Sequence, residues 1–260
     1  MPDISVVTIC YNDLEQLKKT CSSVDAQIIK PAEHWIINAS TKNDIADWLT
    51  ATPQPGYRKW ANVKDEGIAG SFNQGIKRAE AEVIHLLNAG DVYASDDVLK
   101  EVMNFFAINK EAQWISGKLK VRRSGHWIEI GKPFEKIKLY RGMRSVSHPS
   151  WFVKKQIYEK CGEYNATYKI AMDYDMMCRI ADEPYRFMDK TIVEFDDSGI
   201  STVKYLDSLK ENNKAYESYF GFSILSRLWQ FRLKLLHKLL QTSAGKTLFN
   251  LKKKMGLENM

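Results

Sequence analysis

The first hundred residues alternate between short apolar runs and segments whose apolar residues recur at helical spacing. The runs are rich in β-branched residues, as in strands buried on both faces, and they predict strands at 4–10, 33–38 and 83–88. The segments between and after them predict helices at 13–27, 43–51, 70–82 and 95–109. Such alternation favours an α/β fold with a mostly parallel central sheet and helices on both faces.

Beyond residue 110 the pattern is richer in strands. It predicts strands around a Ser-Gly turn within 113–131, a strand and a helix within 148–162, a helix at 171–182 and a strand at 185–196. These elements are typical of the second half of the same sheet. We therefore expect one domain over residues 1–202 and a helical C-terminal extension over residues 203–260.

The C-terminal extension is basic and amphipathic. No acidic residue lies between Glu217 and Glu258, whereas the segment 224–240 mixes leucine and aromatic residues with positive charges. Two interpretations are open. Either the region 224–254 lies on an anionic membrane surface, or the helix packs on the main domain and turns its basic face to water.

Composition and charge narrow the class of protein. The 260 residues are 44% hydrophobic and 27% charged, which is typical of a folded chain, and the formal charge of +6 favours anionic partners. The basic run carries no recognised nucleic-acid readout motif, so we expect no nucleic-acid partner. The four cysteines form no C-x-x-C pair, and the sequence has neither a secretion-signal pattern nor a membrane-spanning apolar run. We therefore expect a cytoplasmic protein.

Polar loops follow three of the predicted strands, at 11–13, 38–44 and 88–91. Ligands of parallel α/β sheets bind beyond the carboxyl ends of the strands, so we expect these loops to converge on one crevice. The last loop, Asn-Ala-Gly-Asp, is either an ordinary turn or a site at which Asp91 binds a hard cation. The chain has neither a G-x-x-x-x-G-K-[ST] loop nor a G-x-G-x-x-G after a strand, which excludes those two phosphate-binding motifs.

A second candidate ligand segment is KDEGIAGSFNQGI, at 64–76. Gly67 and Gly70 allow the backbone to approach a ligand closely, and a helix that begins near Gly70 presents its amide end to anions. Asn73 and Gly75 lie in the helix interior, where neither is favoured by propensity. A ligand-binding role and a role in close helix–strand packing are both open.

Five blocks of the sequence occur in the order and spacing of one enzyme family: ISVVTICYND, the Asn-Ala-Ser-Thr loop, KDEGIAGSFNQGI, LLNAGD and AMDYDMMCRI. Over residues 3–200 the chain resembles the family-2 glycosyltransferases of the GT-A fold, above all the bacterial members that build capsule, O-antigen and exopolysaccharide. The resemblance implies inverting transfer of a sugar from a nucleotide-diphosphate sugar, expected to be a UDP-sugar, to a saccharide hydroxyl, with Mg²⁺ or Mn²⁺. The basic extension adds the expectation of a lipid-linked acceptor at the inner face of the plasma membrane.

The resemblance also assigns residues to the site. The nucleotide sugar would be bound by Thr8, Tyr11, Asn12, Asn38, Asp65, Gly67, Asn73, Asn88 and Asp91. Asp91 would in addition bind the metal that bridges the two phosphates. Asp173 would be the general base that deprotonates the acceptor hydroxyl.

Further residues are candidates for the acceptor side of the site. Ser201 lies in a DSGIS stretch that resembles a family element near the acceptor, and Asp175 either meets the acceptor or orients its own helix. His148 would contact the acceptor or the metal, or is a hydrogen-bonded structural histidine. Trp151 would stack on a sugar ring, or belongs to the core. His85 is expected to be a satisfied core residue.

Two departures from the family pattern leave an alternative open. Asn38 stands where the family usually has an aspartate, and Ala69 with Gly70 replaces a Tyr-Asp pair. The alternative is a degenerate, non-catalytic nucleotide-sugar-binding module of the same fold. A nucleotidyltransferase is disfavoured, because the loop after the first strand, CYNDLEQ, is not Gly-rich and carries no Lys or Arg.

Overall fold

The computed structural model describes residues 2–123, 126–143, 146–195 and 204–243, together with Gly245 and Thr247. Its strands are β1 (Ile4–Cys10), β2 (Glu33–Asn38), β3 (Arg58–Asn62), β4 (Val83–Leu86), β5 (Val92–Tyr93), β6 (Trp114–Arg123), β7 (His126–Ile130), β8 (Trp151–Lys154) and β9 (Tyr185–Phe195). Its α-helices are α1 (Leu14–Asp25), α2 (Asp44–Ala51), α3 (Gly67–Arg78), α4 (Val98–Ile108), α5 (Lys155–Cys161), α6 (Met172–Arg179), α7 (Tyr205–Phe220) and α8 (Ile224–Gln241). Short 3-10 helices lie at Lys136–Arg141 and His148–Ser150.

These strands form one sheet in the order β3-β2-β1-β4-β8-β6-β9-β5, with β7 paired to β6. The first four strands of this order are parallel. The direction then reverses at β8, which is antiparallel to both β4 and β6, while β9 is parallel to β6. The predicted parallel arrangement therefore describes the half of the sheet where the candidate loops lie, and the other half is mixed.

Helices cover both faces of the parallel half, as predicted. Alternate residues of a strand point to opposite faces. Val7 of β1 packs in one hydrophobic cluster with Phe72 of α3. Its neighbours Ile4 and Val6 belong to another cluster with Val98 of α4. This two-sided burial explains why β1 reads as a continuous apolar run.

Some element bounds differ from those predicted. The helix α3 begins at Gly67, three residues before the predicted start. The helix α4 begins at Val98, because Ser95 donates a hydrogen bond to Asp97 (2.6 Å) in the turn that precedes it. The strand β3 was not predicted, since its sequence RKWAN is short, polar and mostly exposed at the sheet edge.

The two C-terminal helices pack on the rest of the fold. The helix α7 lies against α6 and buries Leu209 and Ala215, and α8 lies against α7 and the 3-10 helix Lys136–Arg141. None of the helices in the described part of the chain combines the length and apolarity needed to cross a bilayer. The proposed division between residues 202 and 203 falls outside the described residues, and it stays a prediction.

Candidate active site

The three strand-end loops meet at one cleft of about 390 Å³, at the carboxyl ends of β1, β2 and β4. The first turn of α3 forms another wall of this cleft. Several of the predicted nucleotide-sugar residues line it: Tyr11, Asp65, Gly67 and Asn88. The crevice predicted from the strand order is therefore present, and it has the position at which α/β sheets bind ligands.

Asp65 and Gly67 shape the entry to α3 beside the cleft. The Asp65 carboxylate accepts a hydrogen bond from the Gly67 N–H at 2.9 Å. Gly67 has a φ of +77°, in the left-handed region that favours glycine. The helix end that follows carries a partial positive charge, which suits an anionic ligand.

Asn12 and Asn38 brace the loops of the cleft. Asn12 has a φ of +54°, and its side-chain oxygen accepts hydrogen bonds from the backbone N–H groups of Thr41 and Lys42, both at 3.1 Å. The Asn38 amide donates to the Asn62 side-chain oxygen at 2.8 Å, and Asn38 is 3% exposed. Both asparagines hold neighbouring loops together, and their contact with a nucleotide stays a prediction.

Thr8 and Asn73 are not brought to the cleft. Thr8 is fully buried within the sheet, where its hydroxyl lies 2.9 Å from His34 Nε2. Asn73 donates to the Tyr164 carbonyl at 2.9 Å and accepts from the Tyr164 N–H at 2.8 Å. Their polar atoms already have partners inside the protein, and the direct ligand contact expected of both stays a prediction.

Gly75 has a packing role. A Cβ atom at this position would lie 2.2 Å from Val7 Cγ1, so only glycine lets α3 approach β1 this closely. Of the two roles left open for this helix-interior glycine, the structure supports close helix–strand packing.

The Asn88–Asp91 segment is a tight turn with cation-compatible oxygens. The Asp91 N–H donates to the Asn88 carbonyl at 3.1 Å, and the Asn88 amide donates to the Asp91 carboxylate at 3.3 Å. Asp91 is 4% exposed, and the buried side-chain oxygen of Asn88 has no hydrogen-bond partner among the described residues. A carboxylate beside an unpartnered amide oxygen is a ligand set that suits Mg²⁺ or Mn²⁺.

This set would be small for an all-protein metal site. In the described ranges no group of three or more His, Cys, Asp or Glu residues is placed to hold a metal ion. Magnesium in phosphate-transfer sites is commonly bound by one or two carboxylates together with substrate phosphates. The residues present therefore fit a cation that arrives with a diphosphate.

Asp173 lies in the first turn of α6 and is partly buried. Its carboxylate accepts a hydrogen bond from the Tyr174 N–H at 2.7 Å. Burial raises the pKa of Asp173 to about 6, and the nearby Glu211 carboxylate adds to the rise. Such a group is largely ionised at pH 7 and still accepts a proton readily, as a general base must. Asp173 is not among the residues that line the cleft.

Asp175 fixes the position of α6. It is fully buried, forms an ion pair with Arg179 (2.9 Å) and accepts a hydrogen bond from the Tyr219 hydroxyl at 2.9 Å. Arg179 in turn donates to the Cys161 carbonyl at 2.7 Å. Of the two interpretations of Asp175, the structure supports the one in which it orients its helix.

His148 and Trp151 belong to the core. His148 lies 2.8 Å from the Tyr164 hydroxyl, and burial lowers its pKa to about 3, so the ring is neutral at pH 7. Trp151 is 3% exposed and packs against His148. The structure supports the structural alternatives for both, because His148 is bonded to Tyr164 and both side chains are buried. His85 is a satisfied core residue, bonded to Tyr93 and to the Pro149 carbonyl, and Ser201 lies outside the described residues.

Comparison with known proteins assigns the chain to a family. Residues 5–162 match the sequence profile described as Glycosyl transferase family 2. The chain belongs to this family. The chain is therefore a glycosyltransferase, and the match covers every strand and helix that surrounds the cleft.

Curated relatives of this family-2 glycosyltransferase carry glycosyltransferase names. It is 28% identical to an uncharacterized glycosyltransferase of Mycobacterium tuberculosis over 205 residues, which cover 77% of this chain and 78% of that protein. It is 23% identical to a PGL/p-HBAD biosynthesis glycosyltransferase of Mycobacterium bovis, over 76% of this chain and 78% of that protein. It is 28% identical to the poly-beta-1,6-N-acetyl-D-glucosamine synthase of Staphylococcus epidermidis, over 46% of this chain and 29% of that protein.

Solved structures confirm the GT-A fold. TarS residues 1–349 from S. aureus give a TM-score of 0.62 at 13% identity, covering 88% of this chain and 69% of that one. The mannosyltransferase PcManGT from Pyrobaculum calidifontis, in complex with GDP-Man and Mn²⁺, gives a TM-score of 0.61 at 11% identity, covering 99% and 81%. At these identities the likeness establishes the fold of this glycosyltransferase and not its substrates.

Some residues of this family-2 site were not found from the sequence. Gln16, Ile68 and Ser71 also line the cleft, and Glu211 acts on Asp173 from α7. Gln16 lies within the predicted helix 13–27, where its spacing gives no sign of a ligand, whereas Ile68 and Ser71 lie in the candidate ligand segment 64–76 but were not singled out there. Glu211 is 38 residues from Asp173, and no local pattern joins the two.

Proposed function

We propose that this glycosyltransferase moves a sugar from a UDP-sugar to a hydroxyl of a lipid-linked saccharide, with inversion at the anomeric carbon, in the synthesis of a surface polysaccharide. The observation that carries the proposal is the cleft at the carboxyl ends of β1, β2 and β4, bordered by the first turn of α3. It offers an anion-favouring helix end beside a polar loop, as a nucleotide diphosphate requires.

The donor half of the site is supported by the residues of the cleft. Tyr11 is 52% exposed at the cleft, where its ring can stack on a base, and Asp65 also lines the cleft. TarS has been solved with UDP-GlcNAc and PcManGT with GDP-Man, so the shared fold accepts either nucleotide. The shared fold therefore does not select the nucleotide. UDP is proposed from the family resemblance, and Asn38 in place of the usual acid is where base recognition would differ.

Asp173 would carry the chemical step. The acceptor oxygen attacks the anomeric carbon while the bond from that carbon to the phosphate oxygen breaks. The hydroxyl proton passes to the Asp173 carboxylate, and the nucleoside diphosphate leaves with the bonding electrons. Attack from the side opposite the leaving group inverts the anomeric centre, and the raised pKa of Asp173 suits it to accept this proton.

Asp91 and Asn88 are the residues that would hold a Mg²⁺ or Mn²⁺ ion. The bound cation would supply neutralising charge to the diphosphate. Asn88 lines the cleft, and its side-chain oxygen is the buried atom that has no partner among the described residues. The Thr20 hydroxyl donates to the Asp91 carbonyl at 2.8 Å and so holds the turn that contains both residues.

The proposed lipid-linked acceptor rests on α8. This helix buries two polar residues, Ser226 and Gln230, with Leu233, and turns most of its large apolar side chains outward. The outward set comprises Ile224, Leu225, Leu228, Phe231, Leu235, Leu236, Leu239 and Leu240. A basic helix that exposes its apolar side fits an anionic membrane surface, where those side chains are buried and the cations meet phosphates.

A thermal-shift screen tests donor and metal binding. The thermal unfolding of wild type is measured with UDP-, GDP-, dTDP- and CMP-linked sugars, with and without Mn²⁺. The same measurements are made on Asp91→Ala and on Asp96→Ala, a control at an exposed residue. We expect UDP-sugars to stabilise wild type by about 2–3 kcal/mol at a hundredfold excess over Kd. The Mn²⁺-dependent part should be lost in Asp91→Ala and kept in Asp96→Ala.

Two results would contradict this assignment. If none of the four donor classes stabilises wild type, the cleft does not bind nucleotide sugars. If Mn²⁺ increases the stability of wild type and Asp91→Ala equally, the Asn88–Asp91 turn does not bind the metal.

A further inference from the structure

The helix that carries Asp173 has no side-chain cap of its own. Its N-cap position is occupied by Ala171, which offers no side-chain acceptor. The backbone N–H groups at a helix start need partners, and in their absence the segment frays or depends on water. An acceptor from another part of the chain would therefore strongly stabilise the start of α6.

Glu211 of α7 supplies an acceptor to the N-cap residue Ala171 and to the two residues before it. Its carboxylate accepts hydrogen bonds from three consecutive backbone N–H groups, those of Lys169 (3.2 Å), Ile170 (2.8 Å) and Ala171 (2.9 Å). Charge-assisted bonds of this kind are stronger than neutral ones, and a negative charge is favoured at a helix N-terminus. One side chain from the C-terminal region thus fixes the segment that leads directly to Asp173.

A second contact from α7 fixes the rotation of α6. The Tyr219 hydroxyl donates to the buried carboxylate of Asp175, which is also paired with Arg179. Glu211 and Tyr219 bind different parts of α6 and of the segment before it. Together they hold the first turn of α6 in both position and orientation.

We propose that Glu211 is a positioning residue for Asp173: by binding the backbone that precedes α6, it sets where the carboxylate of the base meets the acceptor. The inference rests on the proposed function, in which Asp173 is the base. It places a residue outside the matched region, residues 5–162, in the machinery of the reaction.

The charged groups near Asp173 give the positioning role of Glu211 a measurable effect on the pKa of Asp173. Among the described residues, the groups that act on the Asp173 carboxylate are Glu211 from α7 and the Tyr164 phenol, whose pKa burial raises well above 10. Tyr164 therefore stays neutral in the working range, and Glu211 is the charged neighbour within the described part of the chain. Its negative charge raises the pKa of Asp173, so its removal must lower that pKa.

The test compares Glu211→Gln and Glu211→Asp with wild type and with Asp207→Asn. Asp207 is an exposed carboxylate on the same helix, paired with Lys210 at 2.9 Å, so its variant removes one charge from α7 without touching α6. For each protein we would measure the thermal midpoint, donor KM, kcat and the acid limb of the pH–rate profile. Asp173→Asn is included to test the base itself.

We expect Glu211→Gln to lower kcat by about 10-fold or more with little change in donor KM, as small displacements of a catalytic group do. Its acid limb should move to lower pH than that of wild type. Glu211→Asp keeps the charge but shortens the side chain, so its kcat should fall while its acid limb stays in place. Asp207→Asn should match wild type in all of these measurements.

The outcomes separate this inference from the proposed function. If Asp173→Asn turns over at the wild-type rate, the base assignment fails, and the positioning role fails with it. If Asp173→Asn is inactive while Glu211→Gln behaves as Asp207→Asn does, only the positioning role fails. If Glu211→Gln does not fold, Glu211→Asp decides, because an unchanged kcat in that variant would overturn the inference.

Discussion

The Asp173 carboxylate combines partial burial with a negatively charged neighbour, and both disfavour its ionised form. The usual aspartate pKa lies near 4, at which the group would be a weak base. A pKa of about 6 makes it a better proton acceptor while leaving most of it ionised at pH 7. The environment of this one residue therefore supplies the property that the proposed reaction needs.

A pH–rate profile tests this property. The base must be ionised, so kcat should rise with pH through about 6 and fall about tenfold for each unit below it. The buried histidines His85 and His148 do not account for such a limb, since burial lowers their pKa values to about 4 and about 3. A limb near pH 4, with the fold intact by circular dichroism, would contradict the assignment.

The sequence predicted which residues lie at the cleft better than it predicted their hydrogen-bond partners inside the protein. Tyr11, Asp65 and Asn88 line the cleft as expected. Asn12 and Asn73 bind backbone that is distant in the sequence, at Thr41 and Tyr164. The sequence shows that an asparagine is present but not which group its side chain binds. The partners are 29 and 91 positions away, and they come together only when the sheet and its loops have folded.

At the scale of elements, the apolar runs located the buried strands because both faces of β1, β2 and β4 are covered. The same signal missed β3, an edge strand with three exposed residues out of five. The hydrophobic pattern also did not predict that the strand direction reverses at β8. A short buried run has the same composition in a parallel and an antiparallel pair, so its direction depends on the path of the chain between elements.

The helix α8 was expected either to lie on a membrane or to pack on the domain with its basic face to water. It packs through a narrow stripe, and the face it turns outward is largely apolar, with Leu228, Phe231 and Leu235 each more than half exposed. Arg227 is already neutralised by an ion pair with Glu217 at 2.7 Å. An apolar outer face of this size is uncommon on a protein surface that meets only water.

Vesicle flotation tests the membrane role of α8. The double variant Phe231→Ser, Leu235→Ser should bind vesicles of phosphatidylglycerol and phosphatidylethanolamine at least about tenfold more weakly than wild type, since each buried apolar side chain contributes roughly 1.5–3 kcal/mol. The control Ile108→Ser removes a side chain that is 82% exposed on α4 and should bind as wild type does. Equal binding of the double variant and wild type would exclude α8 as the contact.

At the scale of the whole molecule, the C-terminal helices are packed against the helix that carries Asp173. The sequence favoured a catalytic domain followed by a separate extension. In the structure α7 holds α6, the helix that carries Asp173, through Glu211 and Tyr219, and α8 packs on α7. If α8 rests on a membrane, the same pair of helices would connect that surface with Asp173. No local sequence pattern predicts this connection, because it depends on how α7 returns to α6.

The measurement that tests the account most directly is release of UDP from UDP-sugars in the presence of a membrane lipid extract. Wild type is compared with Asp173→Asn and with Asp182→Asn, an exposed acid just beyond α6 that pairs with Lys136. We expect acceptor-dependent release by wild type and Asp182→Asn, and a rate about 10²–10⁴-fold lower for Asp173→Asn, the usual contribution of a general base. Equal rates for Asp173→Asn and wild type would contradict the proposed mechanism, and no release by wild type from any donor would favour the non-catalytic binding module.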